Sequence, residues 1–208
     1  MSDPSILTFF DGRSTLTFVA GEDRSIAILL HDAATHNPID LTGITVQLTL
    51  PREGGGHVKR DSGPLTIPMS AIVANHLYLP DHGLVSGDPV TFVGELPDPL
   101  MDSTTYFVSV VDLNRIGLTG PGGTPIVFGT TTAPGAGPFA MLNQVDLTLG
   151  TPILGQAMWH LRKEVSLAVN SGLSQTFYLG YSLDGSQRWT MLSGRLDVYP
   201  PVVELPQP

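Results

Sequence analysis

Apolar and polar residues alternate with a period of two through most of the chain. In "STLTFVAG", Leu16 and Phe18 point one way and the threonines the other. "SIAILLHD" repeats the pattern with Ile26, Ile28 and Leu30, and "GITVQLTL" sets Val46, Leu48 and Leu50 against Thr45, Gln47 and Thr49. This period, with β-branched residues, predicts half-buried strands. The breaks carry turn chemistry: "AGEDR", "ATHNP", "REGGG" and "DSGP". Further on, "WHLRKEVSLAV" sets Trp159, Leu161, Val165, Leu167 and Val169 against His160, Arg162, Glu164 and Ser166, which predicts another strand. "TFYLGYSLDG" places Phe177, Leu179, Tyr181 and Leu183 on one face and closes on an Asp184-Gly185 turn. "QRWTMLSGRLDVYPP" reads as a further strand-pair region, stopped by Pro200 and Pro201. Helical spacing is best in "PMSAIVANH" (68–76), for two turns at most, and this segment reads as strand or loop.

The texture changes between residues 64 and 140. Turn-rich stretches bound this segment, and the closing "TTTAPGAGPFA" has the composition of a flexible connection. Inside lie "HLYLP", "DPVTFVGEL", "TTYFVSVVD" and "RIGLTG", short strands enough for a small barrel or curled sheet. Residues 14–63 supply three strands and 141–200 four, together about seven over roughly 110 residues, the size of an immunoglobulin-like domain. The expected organisation is all-β: an immunoglobulin-like β-sandwich built from 1–63 plus 141–200, an inserted small β-barrel over 64–140, and an extended arm over 201–208. That arm, "PVVELPQP", is proline-rich.

Composition sharpens this picture. Charged residues are 14% of the 208, against roughly 25% in an ordinary domain, so loops or other subunits must cover much of the surface. Glycine (23) and proline (18) make up a fifth of the chain, as many turns between short strands require. The net charge is −9 and only Lys59 and Lys163 are lysines. Nothing here neutralises a row of phosphates, which argues against nucleic acid as a partner. Cysteine is absent, which removes disulfides, thiolate metal sites and thiol catalysis. "MSDPSILTFFDGR" lacks the basic and apolar regions of a signal peptide, and no run approaches 18 apolar residues, so no membrane span is expected.

The candidate chemistry is sparse. His82, before Gly83 and near Asp88, offers either an acid–base pair or a turn whose imidazole bonds a backbone carbonyl, with Gly83 and Gly87 at positive φ and Asp88 bonding its own turn. His31, Asp32 and His36 offer a metal cluster or a hairpin turn; Asp40 offers a calcium ligand or a cap before Gly43. "GGG" (54–56) and "GPGG" (120–123) lack a following Lys-Ser/Thr and read as hairpin tips. Glu22 and Asp23 are adjacent and point to opposite faces of a strand. No Gly-x-Ser-x-Gly occurs. Trp159 and Trp189 stand in register with apolar neighbours, as core residues or as sugar-stacking platforms. No catalytic, cofactor-binding or metal residue is assigned, and no cofactor is expected.

Two stretches carry a resemblance. "GEDRSIAILLHDAATHNPIDLTGITVQLTL" (21–50), with the closing "YLGYSLDGSQRWTMLSGRLDVYPP", resembles the N-terminal immunoglobulin-like domain of phage baseplate upper proteins and related tail proteins. The shared features are the glycine before an apolar strand, "IDLTG" leading into an alternating strand, and a final "DV" with a proline exit. "HGLVSGDPVTFVGELPDPLMDSTTYFVSVVDLNRIGLTG" is similar to a small β-barrel module of many phage virion proteins and to a β-domain of ubiquitin-activating enzymes. Ubiquitin activation does not carry over, because that chemistry needs a cysteine. The resemblance implies a non-enzymatic structural protein of a tailed-phage virion, assembled in the host cytoplasm. It would sit in the tail at the baseplate or a fibre dock, as a homo-oligomer bound to other virion proteins. Head decoration and a carbohydrate-binding or adhesion module at the host surface stay open as alternatives.

Overall fold

The computed structural model describes residues 5–9, 14–32, 34–129, 138–143, 147–182 and 189–200. Five strands come first: β1 (Ser5–Phe9), β2 (Thr15–Val19), β3 (Arg24–Leu30), β4 (Thr45–Pro51) and β5 (His57–Asp61). Seven follow: β6 (Leu65–Ile67), β7 (Ile72–Val73), β8 (His76–Tyr78), β9 (Pro89–Gly94), β10 (Tyr106–Asp112), β11 (Arg115–Thr119) and β12 (Phe139–Asn143). The last four are β13 (Leu147–Leu149), β14 (Gln156–Leu161), β15 (Gly172–Ser182) and β16 (Trp189–Tyr199). The chain is all-β, with one six-residue helix, α1 (Lys163–Ala168), among the described residues. No helix among them is long and apolar enough to cross a membrane.

The strands form three sheets, ordered β1-β3-β14-β13, β2-β16-β15-β4-β5 and β6-β12-β9-β10-β11-β8-β7. The first two sheets share one core. Ile26, Ile28, Leu30, Ala157, Trp159 and Leu161 from one meet Leu16, Phe18, Val46, Leu48, Phe177, Leu179 and Val198 from the other. Phe18 and Trp159 join them edge to face, with ring centroids 6.2 Å apart. The period-two reading holds here: Leu16 and Phe18 are buried while Thr15 and Thr17 are exposed. One close approach fixes the spacing of β15 and β16: a Cβ on Gly194 would stand 2.4 Å from the Phe177 ring.

The third sheet encloses a second core, from Ile67, Leu77, Phe92, Tyr106, Ile116, Leu118, Phe139 and Met141, with Phe92 packed on both Tyr106 and Phe139. All its strands lie in sequence between β5 and β13, and the four short strands read from sequence within 64–140 are β8 to β11. A boundary at 140/141 would cut through β12, which pairs with β9 along Phe139–Asn143; five apolar-rich residues of this strand continue the third sheet.

Other expectations change. "KEVSLA" is helix rather than strand. The alternation Val165, Leu167, Val169 also contains an i, i+4 pair. Val165 and Val169 are buried, Leu167 is 46% exposed, and Ser166 takes an inward seat. There its hydroxyl accepts from Gly21 N–H at 2.9 Å and lies 3.0 Å from Glu22 O. The helical face wins because a polar anchor, not Leu167, is what the β2–β3 turn offers. The described part of the expected strand-pair region holds one strand, β16 (Trp189–Tyr199). Residues 68–76 form a single 3₁₀ turn at Met69–Ala71, then β7 and the start of β8 around a turn at Ala74 and Asn75. Residues 14–63 hold four strands, not three. The Asp184-Gly185 turn, Leu183 and the 201–208 arm lie outside the described residues.

Candidate functional site at the junction of the two cores

The stretch "DHGLVSGD" (81–88) is where the two cores meet. Leu84 packs in the core of the third sheet and its neighbour Val85 in the core of the first two. Adjacent residues of an extended chain point opposite ways, so this dipeptide pins one unit to the other. Gly83 permits the approach: its φ is +67°, and a Cβ there would stand 2.5 Å from Lys59 N. Lys59 N–H donates to Gly83 O at 3.0 Å, and the Arg52 guanidinium to Leu84 O at 3.2 Å. The seam thus covers the outer edge of β5.

A buried ion cluster locks it. Asp88 and Arg60 have fully buried side chains, and Arg162 is 15% exposed. Asp88 Oδ2 accepts from Arg60 at 2.8 Å and from Val85 N–H at 2.8 Å. Its Oδ1 faces the second arm of Arg60 at 3.4 Å and accepts from Arg162. Arg60 comes from β5, Asp88 from the seam and Arg162 from the end of β14, so three distant parts of the sequence close on one carboxylate. Fork-like guanidinium contacts fix direction as well as distance. The self-capped turn at Asp88 is as expected from sequence; the two arginines are not. One signal was present: in "HVKRD", Arg60 shares the inward phase of Val58, and an arginine at an inward position needs a partner.

His82 holds the corner. Its Nδ1 accepts from Leu84 N–H at 2.9 Å, so Nε2 carries the proton and donates to Asp112 O at 2.9 Å. This is the backbone-bonding alternative of the sequence reading. Burial pushes its pKa below the ordinary 6.5, against the pull of the Asp112 carbonyl; Arg52 also disfavours the charge, while the Asp112 and Asp81 carboxylates favour it. Neutral His82 therefore contributes stability in full above about pH 6.5, and loses it as pH falls through the lowered value. The expected result is a denaturant midpoint that declines between pH 6.5 and 5 in the native chain, with a flatter decline in His82→Gln. Equal slopes in the two proteins would refute this assignment.

Beside the seam lies a cleft of about 460 Å³ between β4–β5 and the segment 65–82. Gln47, Lys59 and Asp61 form one wall; Thr66, Pro68, Ser70, Tyr78 and Pro80 form the other. Lys59 Nζ donates to Asp81 Oδ2 at 2.6 Å and to Asp81 O at 2.8 Å, and His57 Nδ1 stands 3.4 Å from the same carboxylate. Burial tends to raise the Asp81 pKa, but Lys59 and His57 outweigh it and hold the group below the usual range. Asp61 behaves oppositely. It is half-buried, accepts from Gln47 Nε2 at 2.7 Å, and burial pushes its carboxyl above the ordinary range despite that bond and the Lys59 and Arg60 charges.

The remaining sequence candidates do not come together. His31 Nδ1 lies 3.1 Å from His36 O, and Asp32 caps Ala34 and Thr35, a turn between the bridged residues His31 and Pro38. Asp40 accepts from Thr42 N–H at 2.9 Å. "GGG" joins β4 to β5, and Gly120 and Thr124 close a turn. Trp159 is fully buried, and the side chain of Trp189 lies outside the described residues. Among the described residues, no group of three His, Cys, Asp or Glu is arranged to hold a metal.

Glu22 acts instead at a strand edge. The Val19 N–H and Thr17 C=O face away from β16; Glu22 Oε2 accepts the first at 3.0 Å and Arg24 donates to the second. Glu22 and Arg24 also pair at 3.4 Å. No protein-family model matches the chain, and no curated protein matches its sequence.

Proposed function

We propose that this chain is a non-enzymatic structural protein of a tailed-phage virion: an immunoglobulin-like sandwich with an inserted small β-barrel, acting through protein–protein contacts in the tail. The observation that carries this reading is the rigid weld between two cores. A buried Arg60–Asp88–Arg162 cluster and a shared Leu84–Val85 pair hold one unit at a set angle to the other. Such construction suits a part whose work is geometry.

The strand orders support the fold reading. β3-β14-β13 matches strands B, E and D of an immunoglobulin-like sandwich, and β16-β15-β4-β5 matches G, F, C and C′, with β2 added beside G; β1 takes the place of A in order but runs parallel to β3, where A would be antiparallel to B. The third sheet would enter between C′ and D, and its two end strands both border one core, as a curled sheet or small barrel requires. Low charge and the outward Phe107, Val111 and Leu113 of the inserted unit favour burial against other virion subunits.

Open edges are managed as a building block would need. β5 is covered by the seam, and β2 is closed by Glu22 and Arg24. Replacing both Glu22 and Arg24 with alanine frees one donor and one acceptor, worth about 1 kcal/mol each. Self-association is then expected to strengthen about thirtyfold, read as a concentration-dependent rise in mass by light scattering. An unchanged mass would mean that these side chains do not guard the edge.

The test of function is mass-resolved light scattering of the purified chain, alone and mixed with disrupted tails or expanded heads of a phage encoding it. Co-elution with tails supports the baseplate or fibre-dock reading. Co-elution with heads alone replaces it with decoration. A strict monomer that binds neither overturns it.

A further inference from the structure

Two carboxylates at the junction, the fully buried Asp88 and the half-buried Asp61, are treated very differently. Asp88 is saturated: two guanidinium groups and a backbone N–H converge on it. Asp61, facing the cleft, has one amide donor on one oxygen, and among the described residues its second oxygen accepts no hydrogen bond. Burial works against its charge, and the Gln47 bond and the Lys59 and Arg60 charges offset that only in part. A carboxylate held in this condition inside a cleft is a binding-site candidate.

The surrounding chemistry selects the guest. Tyr78, 47% exposed, lines the cleft together with Pro68 and Pro80. Gln47, Thr66 and Ser70 add neutral hydrogen-bonding groups. An anionic guest meets the Asp61 and Asp81 carboxylates and a chain of net charge −9. A cationic guest competes with Lys59, which already occupies Asp81 at 2.6 Å. A purely apolar guest would strip water from Asp61 and Gln47 and return no hydrogen bond. A ring carrying hydroxyl groups on its rim and C–H bonds on its face satisfies both walls. The volume, about 460 Å³, falls within the ~300–1,000 Å³ typical of small-ligand sites.

We propose that the cleft between β5 and residues 65–82 is a binding site for a neutral saccharide, with Tyr78 as its stacking platform and Asp61 and Gln47 as acceptors of its hydroxyl protons. The site stands apart from the virion reading and holds whether or not the chain docks on a particle.

The experiment is a titration of the full chain, followed through its backbone amide ¹H–¹⁵N spectrum. The probes are methyl glycosides of a hexose, an N-acetylhexosamine, a deoxyhexose and a pentose, with glucuronate and butylammonium as charged controls. At least one neutral glycoside is expected to shift amides of 47, 59–61, 66–71 and 78–82. Tyr78→Ala should weaken that binding roughly tenfold, as the loss of one stacked ring requires, and Asp61→Ala should abolish it. Tyr78 is exposed, so its variant keeps the fold. The proposal is overturned if no neutral glycoside shifts the cleft amides, if the shifts survive Tyr78→Ala, or if only butylammonium perturbs them. The last result would assign the cleft to a basic side chain of a protein partner.

Discussion

Asp88→Ala is expected to destabilise the chain by about 3–5 kcal/mol, the cost of leaving a buried charge without its counter-ion. Arg60 is fully buried and cannot turn to water, whereas Arg162 is 15% exposed and can. Arg162→Ala should therefore cost clearly less than Asp88→Ala. The loss should also be located. Asp88 joins units with separate cores, so removing it is expected to divide one unfolding transition into two. Both tryptophans lie on β14 and β16, outside the third sheet; tryptophan fluorescence follows the first core alone, and far-ultraviolet circular dichroism follows both. Divergence of the two curves in Asp88→Ala, with coincidence in the native chain, is the expected outcome. Replacing Arg60 and Asp88 together with Met and Leu should recover much of the stability, because burying an ion pair is itself costly. If Asp88→Ala unfolds at the native midpoint with coincident curves, the cluster does not weld the units.

Trp159→Ala should cost a similar 3–5 kcal/mol by emptying the centre of the first core. The ring is fully buried, lies opposite Ile26 and Leu147 on the flanking strands, and meets Phe18 edge to face. Its indole nitrogen has no hydrogen-bond partner among the described residues. Trp159→Phe then loses volume but no hydrogen bond, and should cost about 1–2 kcal/mol. The two variants are compared by denaturant midpoint at constant slope, with circular dichroism as the probe. A Phe variant as unstable as the Ala variant would show that the indole nitrogen is bonded in solution. In an Asp88→Ala background, Trp159→Ala should move only the transition of the first core.

Much of this fold was legible along the chain, for a local reason. Period two in β2, β3 and β4 records which side chains face inward, and Leu16, Phe18, Ile26, Ile28, Val46 and Leu48 are all buried as that pattern demands. Turn residues mark where strands stop. The pattern fails where two periods coincide. Val165 and Val169 fit both a strand and one helical turn, Leu167 only the strand, and a contact 145 residues away, from Gly21 to Ser166, decides between them. The division read at residue 140 falls inside β12 for a related reason: β12 pairs with β9 and β6 through ladders that alternation alone does not encode.

The site divides along the same line. His82, Gly83 and Asp88 draw notice in sequence because a histidine, a glycine and an aspartate in a short stretch announce a tight corner, and their bonds within that corner are local. What the corner touches is not local. Arg60 lies 28 residues from Asp88, and Arg162 lies 74 residues away; nothing in their immediate neighbours says which acid each will meet. The Asp61 cleft has no sequence signature, since its walls come from strands on different sheets. The sequence by itself determined the all-β class, the inward faces of β2, β3, β4, β14 and β15 and the position of the corner, because these follow from side-chain alternation and backbone preference within a few residues. Tertiary structure decided that the corner is a weld, that β2 has a guarded edge and that Asp61 faces a cleft, because charges buried at a junction acquire their partners only when distant strands close around them.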